Sequence, residues 1–200
     1  MASNAIPISA FIGGAGFITA GIILLPVLAR LLKPRDAILV GILAPLGLFA
    51  FQLSLIPVFG FFGMLIPATA LIFGSLGFHR SYLIPTAYAV FGLAWYVLFS
   101  GGTFLWLLPY FILIALALTN RVRHFTKGGK GDILLHGLAT TMCELVTMNI
   151  ASISILHLPG GLWSLITPVM YFERSIAVAG SGIILLSLMR VKSILKMEYI

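Results

Sequence analysis

The sequence predicts an all-α protein: a polytopic integral membrane bundle of seven transmembrane helices, with six as the alternative count. Two observations predict it. Hydrophobic residues make up 60% of the chain and charged residues only 8%, with a mean hydropathy of +1.15, so there are too few charges to cover a soluble core. The apolar residues also fall into runs of the length that crosses a bilayer, about 20 residues as a helix, and these runs are separated by short polar or Gly/Pro connections.

Seven runs follow in order: Ile6 to Ala29, Ala37 to Ile56, Val58 to Phe78, Tyr82 to Ser100, Thr103 to Thr119, Asp132 to Leu156 and Leu162 to Met189. The boundary between the second and third is the weakest. There Gln52 to Phe62 (QLSLIPVFGFF) also reads as a bent or re-entrant segment, which would make six spans. The N-terminal residues carry no basic cluster and no small-residue cleavage site, so the first span is expected to be kept. No N-terminal glycine for myristoylation and no prenylation box occurs. Residues 1–200 therefore read as a single transmembrane domain with no soluble domain and the lipid bilayer as its surroundings.

The formal net charge of +7 would suggest a nucleic-acid partner in a soluble protein. Here its placement has a simpler cause. Arg30, Lys33 and Arg35 follow the first span, Arg80 the third, Arg121, Arg123, Lys127 and Lys130 the fifth, and Arg190, Lys192 and Lys196 the seventh. The connections around Pro57, Gly101-Gly102 and His157 to Gly161 carry no Lys or Arg. Under the positive-inside rule this puts the N-terminus outside and the C-terminus in the cytoplasm of a multi-pass cell-membrane protein, with no nucleic acid needed. The longest polar stretch, residues 120–131 (NRVRHFTKGGKG), reads as a mobile cytoplasmic linker that orients the chain, with anionic headgroups or a cytoplasmic partner as the functional alternative.

Small residues mark expected helix contacts: Gly13, Gly16 and Ala20 in the first span, and Ala177, Gly180, Ser181 and Gly182 in the seventh. Pro26, Pro45, Pro67, Pro85, Pro109 and Pro168 fall in or near spans, where each removes a backbone donor and can bend its helix. The single cysteine, Cys143, lies inside a span and reads as a small buried side chain.

Three charged residues interrupt the last two spans: Glu144, Glu173 and Arg174. A charge at mid-bilayer costs roughly 2.5 to 3.5 kcal/mol on insertion scales, so it needs a partner or a task. Gly137, Thr140, Glu144, Thr147 and Ala151 recur at helical spacing, a small polar stripe that turns Glu144 toward protein or water. Glu173 and Arg174, adjacent in sequence, point about 100° apart on a helix and are expected not to satisfy one another. Glu144 and Arg174 lie at similar depth in consecutive antiparallel spans and are predicted to pair, leaving Glu173 without a basic partner. Three readings compete: a structural ion pair between the last two spans, a mid-membrane pocket with Trp95, Trp106, Trp163 or Tyr171 as walls, and proton or cation movement through the surplus carboxylate. The four histidines share no metal-site spacing, so no metal or haem cofactor is expected. No hydrolase, zinc-protease or phosphate-loop motif occurs, and a non-enzymatic role is expected.

Residues 135–188, LHGLATTMCELVTMNIASISILHLPGGLWSLITPVMYFERSIAVAGSGIILLSL, resemble the closing helices of S components, the substrate-capture subunits of energy-coupling-factor transporters for vitamins and related compounds. The resemblance rests on a polar helix with Glu144 and Asn149, a Pro-containing outer segment, and Glu173-Arg174 opening a small-residue helix. It implies a membrane subunit that captures a vitamin-like molecule from outside and docks on a transmembrane coupling subunit driven by two cytoplasmic ATPases. It also implies six helices with both ends cytoplasmic. The substrate-binding candidates are Glu144, Asn149, Tyr171, Glu173 and Arg174. The alternatives are a non-catalytic structural subunit of a larger membrane complex, with the same charges as interhelical locks, and an ion or proton carrier.

Overall fold

The fold is a helical bundle wrapped around its sixth helix. The computed structural model describes residues 7–10, 17–19, 21–51, 60–158 and 160–195. Among them run seven α-helices: α1 (Gly21–Leu31), α2 (Pro34–Phe51), α3 (Leu65–His79), α4 (Leu83–Phe99), α5 (Leu108–Arg123), α6 (Lys130–Ser154) and α7 (Gly160–Leu195). Short 3₁₀ turns at Gly60–Met64 and Phe104–Leu107 lead into α3 and α5. Four helical stretches are long and apolar enough to cross a membrane: Phe62–His79, Phe104–Arg123, Lys130–Ser154 and Gly160–Val191.

Two sequence expectations are corrected. The bundle is helical as expected, but the expected first span is not one helix: Pro7–Ala10 (β1) pairs antiparallel with Phe17–Thr19 (β2). Pro7 lacks a backbone donor, and Gly13, Gly14 and Gly16 weaken any helix drawn through this stretch. What remains of that span is α1, only 11 residues long. The expected linker is also shorter than drawn. Residues 120–123 continue α5 and residues 130–131 open α6, so only 124–129 connect them. Gly13, Gly16, Ala20, Pro57 and Lys196, and most of Gln52 to Phe62, lie outside the described residues.

α6 touches α1, α3, α4, α5 and α7. Of its most apolar window 78% is buried, against 28% for α7 and 33% for the α3 and α5 spans, which makes α6 the axis. Its sequence suits that place. Thr140, Thr141 and Thr147 turn their hydroxyls back onto the carbonyls of His136, Gly137 and Cys143, so the polar side chains are satisfied within the helix. Neighbouring helices come close where they offer glycine. A Cβ on Gly92 of α4 would stand 2.6 Å from the Val146 methyls of α6, and one on Gly74 of α3 would collide with Thr140.

The small residues of α7 are contacts. Ala177 packs with Ile22 of α1, Gly180 faces Ile23, and Ser181 lies against Gly137 of α6. Pro67, Pro85 and Pro109 sit in the first turn of their helices, where the missing donor costs nothing, and only Pro26, Pro45 and Pro168 fall inside helices. The carbonyl of Pro26 accepts from Nε2 of the buried His136 at 2.8 Å, which fastens α1 to α6. α2 exposes Ile38, Leu39, Ile42, Leu43 and Leu46, an apolar face toward the surroundings.

Candidate functional site

At the middle of α6, Glu144 and Arg174 meet. The Arg174 Nη1 donates to Glu144 Oε2 at 2.6 Å and to the Thr141 carbonyl at 3.0 Å. All three charged candidates are buried: Glu144 and Glu173 are 8% exposed and Arg174 4%. Three- and four-residue spacing on α6 points Glu144 inward with Thr140 and Thr147, and α7 brings Arg174 to the same height. Glu173 departs from expectation. Arg174 Nη2 donates to Glu173 Oε1 at 3.2 Å, so the carboxylate read as lacking a basic partner has one. The 100° offset fixes where the two Cβ atoms point, while a long guanidinium arm can still fold back across the helix surface. One cation thus bridges two carboxylates, and the triad carries a formal charge of +1 − 2 = −1.

An aromatic core packs between α4, α5, α6 and α7. Trp106 and Trp163 are fully buried and edge-packed at 4.9 Å, and Tyr96 stands 5.2 Å from Trp163 and 6.1 Å from Trp106. Tyr110, also fully buried, accepts a hydrogen bond from Asn149 Nδ2 at 2.7 Å. Tyr96, Trp106, Tyr110, Met142, Leu145, Trp163, Ile166 and Met170 belong to one contiguous hydrophobic cluster built from α4, α5, α6 and α7. Tyr171 is only half-buried and donates to the Leu105 carbonyl, holding α7 against the turn that precedes α5. Trp95 lies at the cluster's edge, between Phe91 and Phe99.

Several buried polar atoms here find no hydrogen-bond partner among the described residues. They are the indole nitrogens of Trp95, Trp106 and Trp163, Thr103 Oγ1, Asn149 Oδ1 and Arg174 Nε. Such atoms are costly in an apolar interior, about 1–3 kcal/mol each, and mark places where a polar ligand would be stabilised. No protein-family model, curated protein or solved structure matches the chain. Its chemistry is therefore read from these residues alone.

A second charged node lies at the other end of α6, and sequence reasoning missed it. Arg30 Nη2 of α1 donates to Asp132 Oδ2 at 2.7 Å, and both side chains are buried. The Tyr82 hydroxyl donates to Asp132 Oδ1 at 3.0 Å and the Gly128 N–H to Oδ2 at 2.8 Å. The Arg30 head also sits 4.2 Å above the Phe78 ring. Arg30 was counted with the orienting cations, and Asp132 as the edge of a span. The available signal was that an acidic residue opens the most polar helix on the same face as the cations.

Of the five candidates, the fold brings Glu144, Glu173 and Arg174 into one contact and sets Asn149 in the adjoining aromatic core. Tyr171 is placed at the rim. A cavity of about 250 Å³ opens elsewhere, at the Arg30–Asp132 end between α3, α4 and α5, and Glu144, Glu173 and Arg174 do not line it.

Proposed function

We propose that this chain is a solute-binding transport subunit of the cell membrane, capturing a small vitamin-like molecule in the polar and aromatic core between α4, α5, α6 and α7. One observation carries the reading: the indole donors of Trp106 and Trp163, the Asn149 acceptor and the Arg174 Nε are buried and unpartnered among the described residues, spread along the core from the aromatic cluster to the triad. A flat, hydrogen-bonding solute would stack on the aromatic rings and satisfy those atoms. The resemblance of residues 135–188 to energy-coupling-factor S components supports the same reading. On it, the chain spans the membrane several times with a cytoplasmic C-terminus and docks on a transmembrane coupling subunit served by ATPases.

The test is native mass spectrometry of protein purified in mild detergent, compared with Asn149→Leu and Trp163→Phe. A small-molecule adduct on the wild type, weakened in both variants, is the expected result. A bare chain mass, or an adduct equally retained by both variants, would overturn it.

One observation favours a second reading, a structural subunit of a membrane complex. The three buried charges pair with one another at the α6–α7 contact, as an interhelical lock would. Co-purification of stoichiometric protein partners without any small-molecule adduct would favour it.

A further inference from the structure

The cavity at the Arg30–Asp132 end has the chemistry of an anion site. It is lined by Arg80, Ser81, Tyr82, Arg121, His124 and Lys127, with Asp132 at its floor. Three cations, Arg80, Arg121 and Lys127, have no carboxylate partner among the described residues. The carboxylate at the floor cannot neutralise them, because its oxygens already accept from Arg30, Tyr82 and Gly128. With Arg30 and Asp132 cancelling, Arg80, Arg121 and Lys127 contribute a formal charge of +3 around the opening.

The neutral groups complete the pattern. Asn120 engages its Oδ1 with the Phe125 N–H at 2.9 Å, so its amide donors remain for a ligand. Ser81 Oγ accepts from the Leu83 N–H at 3.3 Å and keeps its own proton to give. In Asn120 and Ser81 the acceptor is used and the donors are not. The connection is held in shape to present them: His124 takes a left-handed backbone with φ of 48°, uncommon for a residue with a side chain, while its N–H caps α5 through the Asn120 carbonyl.

The cavity lies where α3 and α5 end and α4 and α6 begin, so all four helix ends share one face of the bundle. Leu83, which lines the cavity, is 41% exposed. Charge and exposed hydrocarbon side by side describe the depth of phospholipid headgroups.

We propose that this cavity binds the phosphoryl group of an anionic phospholipid. Arg80, Arg121 and Lys127 surround the phosphate, Asn120 and Ser81 donate to its oxygens, and the acyl chains run along the apolar surface beside Leu83.

Full-length protein in mild detergent, titrated with phosphatidylglycerol or phosphatidylcholine and read by native mass spectrometry, tests this. Phosphatidylglycerol should bind at least tenfold more tightly than phosphatidylcholine. Each cation removed near the surface weakens an anionic headgroup by about fivefold, so Arg80→Gln with Arg121→Gln should lose most of that preference. Arg123→Gln, which does not line the cavity, should keep most of it. Thermal unfolding run in parallel establishes that each variant is folded, and Lys127→Gln replaces the double variant should that one fail. Equal binding of the two lipids, or a preference unchanged in both the double variant and Lys127→Gln, would overturn the site. Binding of inorganic phosphate with no lipid preference would overturn the lipid assignment.

Discussion

Arg174 and Arg30 each contact a carboxylate of the same helix, Glu144 and Asp132, twelve positions apart on α6, yet the two nodes do different work. The Arg174 node closes a short loop of chain, joining two consecutive helices whose sequence separation at the contact is 30 residues. The Arg30 node joins residues 102 positions apart and fastens the first helix to the sixth. The former holds one cation between two acids in the middle of the bundle, with Nε left over. The latter surrounds one acid with three donors and sets its cation over an aromatic ring at the bundle's end. Each cation keeps one nitrogen without a partner among the described residues, Arg174 Nε and Arg30 Nη1, so the difference lies in the acids: two carboxylates on one cation leave charge for a ligand, whereas a single saturated carboxylate is suited to fixing topology.

The largest expected effect comes from breaking the first node at its shared member. Arg174→Met leaves two buried carboxylates facing each other without a cation. Removing one partner of a buried pair costs about 3–5 kcal/mol, on the order of 10 °C in Tm for a chain of this size. Thermal unfolding in detergent, followed by size-exclusion chromatography, checks it. An unchanged Tm in both Arg174→Met and Glu144→Gln would remove any energetic role for the pair.

Asp132→Asn should cost less, about 1–3 kcal/mol. The amide oxygen still accepts from Tyr82, and the Arg30 head keeps its place over Phe78. The consequence should be local. Hydrogen exchange is expected to rise in α1 and the 124–129 connection while the α6–α7 contact stays protected. Uniform loosening of the bundle would mean that the two nodes are one cooperative unit.

This difference also explains what could be read from the sequence. Glu144, Glu173 and Arg174 stand out because each interrupts an apolar run, and antiparallel geometry was enough to pair Glu144 with Arg174. The contact of Arg174 with Glu173 was hidden because helical periodicity describes Cβ directions and not the reach of a guanidinium. Arg30 and Asp132 were hidden for another reason. At the end of a span a charge has an ordinary explanation as an orienting or edge residue, and their pairing depends on packing between α1 and α6 that no local pattern encodes. The helical character of the bundle was legible from apolar run lengths. The β1–β2 ribbon was not, since a run of apolar residues with glycines satisfies the same hydropathy count as a helix.

The small polar stripe of α6 gives an intermediate test. Thr147 Oγ1 meets the hydroxyls of Thr69 on α3 and Tyr88 on α4 as well as its own helix's Cys143 carbonyl. Thr147→Val keeps the shape and removes the oxygen, leaving the half-buried Tyr88 hydroxyl without that partner. A loss of about 1–2 kcal/mol is expected by thermal unfolding. No loss would mean that close helix approach at Gly74 and Gly92, and not hydroxyl bonding, holds α3 and α4 to the axis.

The smallest expected stability effect is the one that best separates holding helices from holding a solute. Glu173→Gln removes the surplus charge of the first node but keeps an oxygen able to accept from Arg174 Nη2, and it leaves the shorter 2.6 Å pair with Glu144 intact. Because Arg174 Nη2 keeps an acceptor, the variant should lose no more than about 1 kcal/mol, the scale of one hydrogen bond. Glu144→Gln should cost more, since it takes away the closer partner. Were Glu173 only a brace, a neutral Tm would be the end of its story. If its carboxylate instead serves a bound solute, Glu173→Gln will keep its stability and lose the small-molecule adduct in native mass spectrometry, and loss of binding without loss of folding is an outcome that a purely structural triad cannot produce.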